Sequence, residues 1–186
     1  EYRYAGRPLA ALQGLDSDGR VIYLGTFSKV MFPGLRLGYL VVPRDLVDAF
    51  RGVRQLIDTH PSTAAQGALA DFIGEGYLAA HIRRMRALYA ERQGDLIEVV
   101  QARLGDRLSV EAQDSGMHLI GYLDDGVDDA ALAQAARDRG VEAPSLSRHY
   151  LEDTPRHGLM LGYAGVPLPE MKRGVATLAR VMEGAD

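Results

Sequence analysis

"VIYLGTFSKVMFPGLRLGYLVVP", residues Val21–Pro43, sets two β-branched and aromatic runs on either side of a short polar loop. The runs Val21 to Phe27 and Leu35 to Val42 each read as a buried strand, and the short link between them suits an antiparallel pair. Pro43 closes the second run, because proline withholds the donor that a strand interior needs. The loop carries one lysine, Lys29, and Arg36 follows seven residues later behind Pro33-Gly34. The hydroxyl residues Thr26 and Ser28 come just before the lysine.

These residue types fit together chemically. A lysine near low-dielectric surroundings and other cations loses its proton and becomes a nucleophilic amine for Schiff-base chemistry. An arginine is a planar cation shaped for bidentate contact with phosphate, and Thr26 and Ser28 can donate to the same anion. An amine for a carbonyl beside a clamp for an anion suits a phosphorylated aldehyde, and pyridoxal phosphate is the obvious candidate. Spacing alone leaves a plainer alternative open, a solvated surface lysine.

Outward from this stretch, residues 1–20 carry Gly, Pro and Asp punctuation and read as loop ending in a turn near Asp18-Gly19. The period then changes to that of helices. Arg44 to Ile57 places Leu46, Val47, Phe50 and Val53 on one side, and a second helix starts at Pro61-Ser62 and stops at Gly74. A long amphipathic pattern runs from Tyr77 to Leu104. Beyond Gly105 the texture is that of a small α+β unit. Strands are expected in "RLSVEA", "GMHLIGYL", "VEAP" and "GLMLGYA", and helices in "DDAALAQAARDRG" and Leu168 to Met182. That order predicts a small sheet with its helices on one face. The domain boundary is placed at the long helix, with residues 1–77 in one domain and 78–186 in the other.

Composition excludes several classes. The 186 residues carry a net charge of −4 and no cysteine, so disulfides and thiolate metal sites are ruled out. The densest basic cluster, "HIRRMRALYAER", lies on the polar side of an amphipathic pattern, which does not make a nucleic-acid footprint. The lack of cysteine also suits a cytoplasmic protein; no run approaches the length needed to span a bilayer, so no membrane partner is expected, and without a basic-then-apolar leader at the start secretion and targeting are unsupported. The five histidines have no metal-ligand spacing, and no metal site is expected. "DDGVDD" reads as a turn and helix N-terminus, where carboxylates meet the favourable end of the dipole.

"GTFSKVMFPGLRLGYLV" closely resembles the cofactor-lysine segment of the fold-type I pyridoxal-phosphate enzymes, with Thr26, Lys29, Arg36, Gly38 and Tyr39 in the constrained places. Together with "YRYAGRPLAALQGLDSDGRVIYLGTFSK", "GMHLIGYL", "APSLSRHYL" and "GLMLGYAG", it is similar to the aminotransferase-like domain of MocR-type regulators of the GntR superfamily. The resemblance implies an α/β fold of the fold-type I transferase class, with part of the large domain followed by an α+β small domain. It implies a cofactor-binding sensor domain in which Lys29 forms a Schiff base with pyridoxal phosphate. Arg36 and Thr26 would hold the phosphate, with Ser28 a secondary contact. A homodimer is implied, with DNA reached only through a winged helix outside this chain. The alternative is a catalytic aminotransferase acting on an amino acid.

Two departures from the family pattern shape these expectations. The acidic residue for the ring nitrogen and the tyrosine for the phenolate oxygen would fall just before Glu1, so the chain reads as a C-terminal piece. A sheet lacking strands would expose edges and an apolar face and would associate with another copy or with the missing segment. The family's substrate-carboxylate arginine would stand at about Met160, and a methionine cannot clamp a carboxylate. Arg148 or Arg156, in the preceding loop, would be the substitute contact for a small-molecule effector or amino acid, with His149 a further candidate to line the cleft; the plainer alternative is that they are exposed surface residues.

Overall fold

The computed structural model describes residues 2–151 and 156–184. The chain forms two compact units, Arg7–Arg83 and a second made of Tyr2–Gly6 with Arg84–Asp186.

In the first unit the turn into the sheet is organised by Asp16. Its carboxylate accepts the backbone N–H groups of Asp18, Arg20 and Val21 at 3.0, 2.6 and 2.7 Å. The bond from Val21, followed by those from Asp18 and Arg20, holds the Asp16 carboxyl below its ordinary range. Within the stretch expected to be loop, α1 (Leu12–Leu15) makes one helical turn.

β1 (Tyr23–Thr26) and β2 (Gly38–Val41) pair antiparallel, with Gly25 opposite Tyr39 and Thr26 opposite Gly38. The antiparallel pair is as expected, but the strands are not buried. Leu24 is 71% and Leu40 48% exposed, because among the described residues no third strand joins these two. The second strand also begins later than Leu35. Pro33–Leu35 form a 3-10 turn, and Arg36 sits in the left-handed region at φ 51°, which breaks the extended run.

Arg44–Leu46 form a 3-10 turn that leads into α2 (Val47–Asp58). α3 (Thr63–Gly74) is capped by Ser62, whose hydroxyl accepts the N–H of Ala65 at 3.4 Å. Gly76, at φ +80°, turns the chain into α4 (Tyr77–Leu104), which has the bounds its apolar spacing predicts and contributes residues to both units.

The second unit is a three-stranded antiparallel sheet in the order β3 (Ser109–Val110), β4 (His118–Tyr122), β5 (Gly158–Gly162). α5 (Asp129–Asp138) and α6 (Leu168–Met182) complete it. Alternation puts Leu119, Leu159 and Leu161 into a core with Val100 and Leu104 of α4, Ala136 of α5 and Val175 and Leu178 of α6. "VEAP" is not a strand. It meets β5 through the Met160 N–H, which donates to the Pro144 carbonyl at 2.8 Å, and just beyond it come the Ser145–Leu159 bridge and the bond from Leu146 N–H to the Gly158 carbonyl at 2.8 Å. Pro144 has no N–H with which to continue the pairing.

A buried polar network fastens Tyr2–Gly6 to this unit. Gln93 donates to the Tyr163 hydroxyl at 3.0 Å, which donates to the Gly116 carbonyl at 3.0 Å and lies 3.3 Å from the Tyr4 hydroxyl. Burial, reinforced by the bond with Tyr163, raises the Tyr4 pKa well above its usual value.

Candidate functional site

The loop between β1 and β2 is pinned at two apolar points, Val30 and Leu37, which are 5% and 9% exposed. The Phe27 N–H donates to the Leu37 carbonyl at 3.1 Å, and the Met31 N–H to the Phe27 carbonyl at 2.9 Å, so the loop has a fixed frame. Within that frame Thr26 Oγ1 accepts the Ser28 N–H at 3.2 Å and donates to the Ser28 hydroxyl at 3.1 Å. A hydroxyl that bonds its own backbone two residues on is held in place before any ligand arrives.

Arg36 is fixed differently. Its N–H donates to the Pro33 carbonyl at 3.3 Å, and its backbone takes the left-handed conformation at φ 51°. For a residue with a side chain that conformation costs roughly 1–2 kcal/mol. Strain of this kind concentrates where the surrounding structure dictates a side chain's direction.

Two glycines make this geometry possible. A Cβ at Gly25 would lie 2.2 to 2.6 Å from atoms of the Tyr39 ring, and one at Gly38 would lie 2.8 Å from the Gly25 carbonyl oxygen. Tyr39 therefore lies flat across Gly25, with ring contacts to Tyr23 and Phe27 at centroid distances of 6.0 and 5.7 Å. Thr26, Ser28 and Arg36 share the wall of one concavity of about 890 Å³ in this unit, whose apolar side includes Tyr39, Leu40 and the α2 residues Phe50 and Val53. Lys29, the next residue after Ser28, is exposed, lies outside β1 and is not part of that wall.

The secondary candidates all belong to the second unit. Arg148 and His149 lie on the 3-10 turn Ser147–His149, and the Arg156 guanidinium lies 3.8 Å from the centroid of the Tyr122 ring. Met160 is half-buried opposite Ile120 and offers no charge. Among the described residues no group of three or more His, Cys, Asp or Glu is placed to hold a metal ion, and no helix is long and apolar enough to cross a membrane.

Asp129 is the residue that sequence reasoning misses. "DDGVDD" reads as a helix start, and Asp128 serves as one by accepting the N–H groups of Ala130 and Ala131. The next carboxylate turns inward and is buried. Two adjacent acids at one cap are the available signal, since the helix uses only one.

Residues 4–178 match the aminotransferase class I and II family, and the chain belongs to that family. The chain is 46% identical, over 96% of its length, to the probable rhizopine catabolism regulatory protein MocR of Rhizobium meliloti, of which it covers 36%. Likewise, it is 39% identical over 96% of its length to the uncharacterised HTH-type transcriptional regulator YhdI of Bacillus subtilis, of which it covers 38%. Among solved structures it superposes on the kynurenine aminotransferase of Pyrococcus horikoshii with a TM-score of 0.85 and 27% identity. That likeness takes in 98% of this chain and 45% of the other. The fold is thus part of the fold-type I aminotransferase architecture, and the chain spans less than half the length of these relatives. The cofactor of that architecture is pyridoxal phosphate. A strained cation and two preset hydroxyls on one concavity, with an amine one residue away, fit a phosphorylated aldehyde.

Proposed function

We propose that this chain is part of the pyridoxal-phosphate-binding effector domain of a MocR-type transcription regulator, with the cofactor carried on Lys29. The observation that supports this reading is the shared wall of Thr26, Ser28 and Arg36 directly before and after the lysine loop. Arg36 and Thr26 hold the phosphate, and Ser28 steadies Thr26 through the hydroxyl pair at 3.1 Å. The flat Tyr39 ring and the α2 side chains give the concavity an apolar side. When bound, the cofactor supplies an aldehyde able to condense with amines.

The effector in this reading is an amine-bearing small molecule such as an amino acid, and the whole regulator works as a homodimer. DNA is contacted by a winged helix elsewhere in the protein. Ligand binding acts on DNA only if the two arrangements of the regulator bind the ligand with different affinities. A methionine in place of a cation at position 160 favours sensing over transamination, since a thioether brings no charge to fix a substrate carboxylate at that position. A catalytic aminotransferase is the rival reading.

Titrating the chain with pyridoxal phosphate, then with single amino acids, tests both. An imine absorbance band is expected in wild type and none in Lys29→Ala, with a spectral change on adding amino acids but no keto-acid release. Equal bands in wild type and Lys29→Ala would remove the lysine assignment. Steady keto-acid production would establish the rival.

A further inference from the structure

Residues Tyr2–Gly6 belong to the second unit, although the chain that follows them, from Arg7, belongs to the first. They run extended beside residues 114–116, with Arg3 bridged antiparallel to Ser115. The Gly116 N–H donates to the Tyr2 carbonyl at 3.0 Å, and the Tyr4 and Ala5 N–H groups donate to the Asp114 carbonyl at 2.6 and 3.3 Å. Strand alternation sends Tyr2 and Tyr4 to one side and Arg3 to the other. Tyr2 is buried and meets the Tyr89 ring edge-on, with centroids 4.9 Å apart. Tyr4 packs against the core and donates its hydroxyl to the Gly116 carbonyl.

The groups that receive this strand are held in place without it. The Gln93 side-chain amide donates to the Tyr163 hydroxyl at 3.0 Å, and that hydroxyl donates to the Gly116 carbonyl at 3.0 Å. The Gln93 side-chain oxygen accepts the Gln113 N–H at 3.1 Å. If Tyr4 leaves, the buried Tyr163 hydroxyl and the buried Gln93 amide therefore keep these partners. The penalty for stranding a buried polar group is not incurred. Asp114, Ser115 and Gly116 are exposed even with the strand in place, so water can take over their backbone groups. Arg3 pairs with Asp114 at 3.1 Å, but with side chains 29% and 60% exposed the pair contributes little. Gly6, at φ +71°, ends the strand in a turn that a side chain would strain.

We propose that residues 113–116, backed by Tyr89, Gln93 and Tyr163, are a preorganised acceptor for an extended segment. Tyr2–Gly6 fills it as a strap that leaves and returns while the core of the second unit stays folded. A strand added to an exposed backbone edge takes affinity from main-chain hydrogen bonds and specificity from pockets for alternate side chains. The partner chemistry is thus an extended peptide with two tyrosines separated by one cationic residue and followed by small residues. In this chain the occupant is its own Tyr2–Gly6. None of this rests on the cofactor reading.

Amide hydrogen exchange on the whole chain tests the proposal. The Gly116 amide, bonded to the Tyr2 carbonyl, reports the strap, and the Leu119 and Leu161 amides of β4 and β5 report the core. In wild type Gly116 is expected to exchange at least about tenfold faster than the two core amides, because the strap opens on its own. The double variant Tyr2→Ala with Tyr4→Ala is expected to speed Gly116 by about tenfold more while Leu119 and Leu161 hold their rates. Adding the free peptide Tyr-Arg-Tyr-Ala-Gly to that variant should slow Gly116 again, and the same peptide with alanine in place of both tyrosines should not. Tyr4→Phe, which removes one hydroxyl, should give a smaller rise confined to Gly116.

Core amides that speed up together with Gly116 in Tyr4→Phe would overturn the proposal, since the strap would then be inseparable from the core. A double variant that unfolds would overturn it for the same reason. A folded double variant whose Gly116 exchange is indifferent to the tyrosine peptide would show that no acceptor for such a segment exists.

Discussion

At the scale of single residues, Arg36 is the informative one, because its backbone conformation and its charge make opposite demands. A glycine would accept φ 51° at no steric cost but would bring no cation. Arg36→Gly is therefore expected to keep or raise thermal stability, by up to about 1 kcal/mol, while weakening pyridoxal-phosphate binding by more than about tenfold. Calorimetric melting and a binding titration check the two halves, and a variant that loses stability together with affinity would show the conformation is not strained. Gly38→Ala tests the opposite case. Its Cβ would press on the Gly25 carbonyl oxygen at 2.8 Å, and the expected loss is about 1–3 kcal/mol in denaturant unfolding. Asp16 gives a pH prediction. Its carboxyl is held below the ordinary range, so the bonds to Asp18, Arg20 and Val21 are present above that range and are lost as pH falls through its folded value. The Val21 amide resonance, followed by NMR, should keep its native shift through mild acid; a change centred at the ordinary carboxylate pKa would contradict this.

At the scale of elements, the helices are legible in the sequence because their signals are local. Ser62 and Asp128 accept first-turn N–H groups, and the amide of Gly140, at φ +79°, reaches back to the Arg137 carbonyl at 2.9 Å to end α5. Asp128→Ala should therefore cost about 1 kcal/mol in the second unit, read by chemical denaturation. Strand burial is not legible, because it depends on how many strands a sheet acquires. The runs around Lys29 have the composition of buried strands, yet both β1 and β2 stand largely exposed as a pair. Residue identity likewise points to Thr26, Ser28 and Arg36, which share a wall, but does not reveal that Lys29 lies off that wall. Nor does it reveal which of Asp128 and Asp129 turns inward, since that follows from where Ser147 and Gly158 arrive in the folded chain.

At the scale of the whole molecule, the first unit leaves much apolar surface open. Leu24, Val53, Leu56 and Ile57 are 71%, 56%, 88% and 75% exposed. An apolar surface of this kind favours association. Light scattering coupled to size exclusion is expected to show species heavier than the 20.3 kDa chain, and a sharp monomer peak across concentrations would contradict that. The second unit carries its own core of α4, α5, α6 and sheet, so its amides should exchange more slowly than those of β1 and β2.

The chain has two lysines, Lys29 and Lys172, and both are exposed, so the second is an internal control for the first. Incubation with pyridoxal phosphate, borohydride reduction and peptide mass mapping measure which of them carries the adduct. The added mass is expected on the peptide containing Lys29, with little on Lys172 and a sharp drop in Arg36→Ala. Equal labelling of both lysines, indifferent to Arg36, would contradict a cofactor site at this loop.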